Sequence, residues 1–189
     1  MKMTARWIIC TLSLAALIHL MTIVVMPRFL MARAMAKLSA GTGYNVLYHP
    51  DRIDASAREI VRPSPDLAYS VCVFDVSRNP LRITAPVHRG YMSLSMFADN
   101  TDNFFVVNDR QVVGGRIDIV LAGPNSPAGA VSEGAQLIRA PSNKGVLLFR
   151  RVIPSDEEYA LIDAERREAK CMPIIFQSIN KTMNVRSLP

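Results

Sequence analysis

The sequence predicts a mainly β protein: a β-sandwich-like domain with one C-terminal helix, preceded by a single N-terminal transmembrane helix. Three observations carry this. An uncharged apolar run fills the start of the chain. Short strand-like runs then recur at about eight-to-twelve-residue spacing, each closed by turn residues. Acidic residues after Ser155 introduce one helical stretch near the end.

Between Arg6 and Arg28 no residue carries a formal charge. About twenty helical residues span roughly 30 Å, the hydrocarbon thickness of a bilayer. Thr11, Ser13 and Thr22 can bond back to their own helix, His19 can stay neutral, and Trp7 stands where an interfacial aromatic belongs. Residues 1–6 form a short tail and 7–27 the anchor, which brings the lipid bilayer in as a partner. A cleaved signal peptide is the competing reading. It has a shorter apolar stretch, although Ala34-Met35-Ala36 and Ala32-Arg33-Ala34 loosely fit its cleavage pattern. Lys2 and Arg6 against Arg28, Arg33 and Lys37 nearly balance, so charge barely decides orientation. A signal-anchor topology puts the rest of the chain on the far side.

Residues 28–43 read as a juxtamembrane helix and linker. Pro27 suits a first helical turn, and Gly41-Thr42-Gly43 stops the helix. The β domain is expected over 44–175, with 176–189 a C-terminal tail. Asn45–Tyr48, Ala68–Val76, Leu81–Ala85, Tyr91–Ala98 and Phe104–Val107 read as strands, and Gln111–Val113 as a return strand before Gly114-Gly115. Arg116–Leu121 alternates, with Ile117, Ile119 and Leu121 on one face. Gly123–Gly134 is loop, and Ala135–Arg139 and Gly145–Ile153 follow as strands. The last is nearly all apolar and therefore central. A helix capped by Ser155 is expected to run to Lys170 and stop before Pro173.

The net charge of +6 is scattered rather than gathered into a stripe interleaved with aromatics, which argues against a nucleic-acid partner. Cys10 lies in the apolar run. Cys72 and Cys171 are a candidate disulfide if the domain lies outside the cytoplasm, but no spacing selects the pairing, and together they are no metal motif. Asp99, Asp102 and Asp109, with Asn100, Asn103 and Asn108, offer oxygens of the kind calcium takes. They lack a glycine-centred loop and a closing glutamate, so turn chemistry explains them better. His49 and His88 are the domain's histidines, no serine stands in a nucleophile elbow, and no cofactor motif is present.

Ordered elements around residues 61–110 carry a likeness. Ser64-Pro65-Asp66 leads to Tyr69-Ser70, and Phe74–Ser77 precedes Pro80-Leu81. Tyr91-Met92-Ser93-Leu94 then comes before Thr101-Asp102-Asn103-Phe104. Gly123-Pro124 and an arginine late in an apolar strand, Arg150 or Arg151, complete the series. Over roughly residues 45–170 the chain resembles the bacterial domain of unknown function 1254 (DUF1254), in its single-domain, membrane-anchored form. Longer relatives are expected to carry a second β domain.

The resemblance implies a β-sandwich-like fold and a cell-envelope setting: a single-pass protein of the bacterial inner membrane whose domain faces the periplasm. It implies no reaction. The matched polar positions Asp66, Tyr69, Asp99, Asp102, Asn103 and Arg150 are the candidate ligand-binding residues, read either as converging at one end of the sandwich or as turn caps and internal pairs. The leading functional expectation is a non-enzymatic envelope domain that binds a small polar ligand or a partner protein. The alternatives are a hydrolase-like envelope enzyme using Asp66, Tyr69 and Arg150, and a purely structural membrane-associated protein.

Overall fold

The computed structural model describes residues 2–54, 56–57, 63–87, 90–126 and 134–175. The expected tail at 176–189, His88 and most of the Gly123–Gly134 loop lie outside them.

The chain opens with one helix, α1, over Lys2–Ser39. Its most apolar 18-residue window has a mean hydropathy of 2.5 and none of it is buried in the protein, so α1 is long and apolar enough to span a membrane. The separate helix expected after Pro27 is instead the continuation of the same helix. Proline removes a backbone donor and crowds the preceding turn. Here the Arg28 guanidinium donates to the Val24 carbonyl at 2.9 Å, supplying a partner in the turn that Pro27 disturbs. The helix ends as the glycines predict: Gly43, at φ +79°, donates its N–H to the Ser39 carbonyl at 2.8 Å.

Two sheets follow. The first orders its strands β1 (Leu47–Tyr48), β2 (Leu67–Asp75), β8 (Lys144–Val152), β4 (Met92–Ala98) and β5 (Asn103–Asn108), all antiparallel. The second orders β7 (Gln136–Arg139), β6 (Arg116–Ala122), β3 (Leu81–Pro86) and β9 (Lys170–Pro173), with β6 and β7 parallel. Their facing sides share one core. Cys72, Phe74, Leu94, Met96, Leu147 and Phe149 from the first meet Leu81, Ile83, Ile117, Ile119, Leu121 and Cys171 from the second. The expected sandwich is present. The apolar strand β8 is central in its sheet, as its unbroken hydrophobicity implied.

Three local expectations need correction. Gln111–Val113 does not pair as a strand; the chain makes two 3-10 turns, Asp109–Gln111 and Val113–Gly115. The Asn108 side chain accepts from the Arg110 N–H, and the Gln111 side chain accepts from the Asn108 N–H, each at 3.0 Å. That capping chemistry closes the turn before pairing can begin. The late helix, α2, covers only Tyr159–Arg166, and Ser155 does not cap it. The residues expected to end it form β9, which adds to the edge of β3 and puts Cys171 into the core. Strand β4 is buried on both faces rather than one, because Ser93 and Ser95 lie between the larger side chains of β8 and β5.

The last turns of α1 lie on the outer face of the first sheet. Met31 and Met35, with Leu38 beside them, pack on Val73, Val146 and Phe97. Their spacing of four and three residues makes a single helical stripe. Helix α1 is therefore joined to the β domain by apolar packing as well as by the chain.

Candidate functional site

The six polar positions singled out from the sequence separate into two groups. Tyr69 and Arg150 are direct cross-strand partners, and Ser93 stands opposite Arg150 on its other side. All three therefore share the outer face of the first sheet. Asp66, exposed, lies just before β2 at the same end and accepts the Ile153 N–H through its backbone carbonyl. Asp99, Asp102 and Asn103 belong to the β4–β5 turn at the opposite end, beside Gly145. The five residue steps along β8 from Arg150 to Gly145 separate the groups by roughly 16 Å.

Each member has a local role. The Tyr69 hydroxyl accepts the Ser64 N–H at 2.9 Å. Asp102 accepts from the Asn100 amide at 2.5 Å. With its amide nitrogen turned inward, Asn103 donates to the Met96 and Phe105 carbonyls at 3.1 and 3.0 Å. Asp109, at the far end of β5, accepts the Met92 N–H at 3.3 Å, so the three aspartates do not surround one point. Among the described residues no group of three or more His, Cys, Asp or Glu side chains converges as a metal site would require. Arg150 donates to Ser95 Oγ at 3.0 Å, while its own Nε and the Ser93 hydroxyl are sealed without a partner.

At the Tyr69 end, a second polar cluster closes the space between the sheets. Arg166 of α2, 3 % exposed, donates to the Tyr69 and Pro50 carbonyls and to Asp163. Arg151 reaches Glu165 at 3.0 Å and the Pro86 carbonyl at 2.7 Å. His49 Nδ1 lies 2.8 Å from Ser70 Oγ. Burial, then the positive charges of Arg166 and Arg167, push the His49 imidazole down to about 4, so it is neutral at physiological pH. A serine beside a neutral histidine has the components of a nucleophile and base. Yet Ser70 is 1 % exposed, and the adjoining cavity of about 10 Å³ holds at most a single water. The cluster plugs this end of the sandwich, and among the described residues it leaves no room beside Ser70 for more than that water. No periodicity or motif marks Arg166, since beyond Asp163 its partners are carbonyls contributed by distant segments.

The larger concavity is at the α1 end. A groove of about 720 Å³ runs between Arg28, Ala32 and Met35 of α1 and the loops carrying Ser77, Asp99 and Ser142–Lys144. Ser142 Oγ accepts the Asp99 N–H at 3.0 Å and donates to the Lys144 carbonyl at 2.7 Å, fixing this wall. The Lys144 ammonium lies 3.5 Å from Asp75 and 5.0 Å from the centre of the Tyr44 ring. Partial burial opposes ionisation of Asp75. Hydrogen bonds from Ser77 and the Lys144 charge outweigh it and hold the carboxyl below its ordinary value. Of the six sequence candidates, only Asp99 lines this groove.

The family profile described as "Protein of unknown function (DUF1254)" matches residues 44–173, from just after α1 through β9. The chain belongs to the DUF1254 family. Among solved structures, this DUF1254 domain is similar to the VPA0106 protein from Vibrio parahaemolyticus, at 13 % identity and a TM-score of 0.58, over 78 % of this chain and 37 % of that one. It also aligns with an uncharacterised protein from Burkholderia cenocepacia, at 16 % identity and a TM-score of 0.49, over 80 % of this chain and 41 % of that one. The first likeness supports the DUF1254 fold alone, and this chain spans about two fifths of the length of either structure. No curated protein matches the sequence.

Proposed function

We propose that this DUF1254 chain is a membrane-tethered binding domain that holds a small polar ligand in the groove between α1 and the first sheet. One observation carries the reading: an open groove of about 720 Å³ built jointly by the anchor helix and the β domain. Arg28 and Lys144 suit an anionic group on the ligand, and Asp99 and Asn143 can take its donors. Binding rather than turnover is the reading taken because both described serines of the groove are engaged: Ser142 with backbone on both sides, and Ser77 with the Asp75 carboxylate at 2.6 Å, itself paired with Lys144. Arg28 directly follows the apolar run, so the groove would sit where the chain leaves the bilayer. In the inner membrane, with residues 28–189 on the periplasmic side, it would sample the periplasmic surface.

Native mass spectrometry of the full chain released from nanodiscs tests this. A small adduct on the wild type that is lost in Lys144→Ala and retained in Asp66→Ala is the expected result. An adduct equally retained in both variants, or none on the wild type, removes the groove as the site. A reporter enzyme fused after Pro189, active only outside the cytoplasm, tests the orientation. A signal confined to the cytoplasm overturns the periplasmic placement.

A further inference from the structure

Cys72 belongs to β2 of the first sheet and Cys171 to β9 of the second, 99 residues further on. Both point into the shared core, 0 % and 5 % exposed, and their sulfurs stand 2.6 Å apart. No atom fits between them. Strand β9 is four residues long and, among the described residues, pairs with β3 alone at the edge of its sheet. An edge strand so short has little holding it beyond its ladder and the burial of Cys171.

We infer that Cys72 and Cys171 are joined by a disulfide in the exported protein, a clasp that fastens the last strand to the opposite sheet. Two thiols lose two protons and two electrons when the S–S bond forms. The electrons pass to the disulfide of an oxidised thiol–disulfide exchange partner, which leaves as a dithiol. One cysteine thiolate attacks that partner to give a mixed disulfide, and the second displaces it.

In the closed sandwich the core encloses both sulfurs, 0 % and 5 % exposed, so an exchange partner reaches neither of them there. The exchange therefore takes place while β9 is undocked, on a chain still folding. Such a bond persists only in an oxidising compartment. The inference thus rests on the periplasmic placement proposed above.

The test uses the full chain carrying Cys10→Ala, so that this pair holds the remaining thiols. Cells are quenched with acid, and the protein is unfolded and alkylated before and after reduction. Alkylation of both cysteines only after reduction is the expected result, with one free thiol in an added Cys72→Ser. Reduction should also lower the melting temperature by on the order of ten degrees. Both thiols alkylated without reductant overturns the clasp.

Refolding the reduced, purified chain in a glutathione redox buffer then shows which premise failed. A pair that closes there but is open in cells fails through the compartment, which the Pro189 reporter reads independently. A pair open in both fails through its geometry.

Discussion

A Cβ on Gly145 would stand 2.1 Å from the carbonyl oxygen of Phe97 and 2.5 Å from the tip of the Phe74 ring. Gly145 lies near the start of β8, the central strand of the first sheet, opposite Phe74 on one side and Ala98 on the other. The ring covers the space that a side chain would take, so the glycine is required by close approach rather than by a turn. Gly145→Ala should destabilise the domain by about 3 kcal/mol through overpacking, because one of the clashing atoms is backbone and cannot swing aside. Urea unfolding of the two proteins reads this, and a midpoint unchanged within error would mean that the strand relaxes freely.

Arg166 and Arg167 both bond Asp163, but only Arg166 is enclosed, with side-chain exposures of 3 % and 50 %. Arg166→Met strands the Tyr69 and Pro50 carbonyls in the plug and should cost about 3 kcal/mol. Arg167→Met should leave unfolding unchanged, since its pair is screened by water. Equal losses in the two variants would contradict the buried role assigned to Arg166.

His49 makes stability depend on pH. Its folded value is about 4, below the ordinary 6.5, so between these values the unfolded chain binds more protons than the folded one. Stability therefore falls as pH drops from about 6.5 to 4, by about 1 kcal/mol once the half-exposure of the ring is allowed for. His49→Gln should flatten that window. It should leave intact the separate loss at lower pH, where Asp75, Asp118 and Asp163, all held below 3.8, take up protons. An unaltered slope between pH 6.5 and 4 in the variant would assign the effect elsewhere.

Arg150 offers the opposite case to Arg166. Its Nε is sealed and unpartnered, and its one side-chain bond goes to Ser95. Arg150→Met keeps the apolar stem and removes the unsatisfied donor, so the loss should stay within about 1 kcal/mol. A loss comparable to that of Arg166→Met would show that the guanidinium is fully engaged in the fold.

The sequence by itself determined the long apolar helix, the sandwich class and the central place of β8. Each follows from a local signal: an uncharged run of bilayer length, strand-length runs between turn residues, and a strand too apolar for an edge. Pro27 was a local signal that misled: the helix expected to begin there is the continuation of α1.

Only the tertiary structure decided β9, the Arg166 plug and the division of the six polar candidates. Four residues such as Lys170–Pro173 carry too little pattern to declare themselves; they become a strand because β3 presents an open edge. Register, which is a relation between segments, put Tyr69 beside Arg150 and left Asp99, Asp102 and Asn103 at the far end of the sheet. The meeting of Cys72 with Cys171 has the same origin. No spacing along the chain encodes it, because two sheets must first stack before their inward side chains can touch.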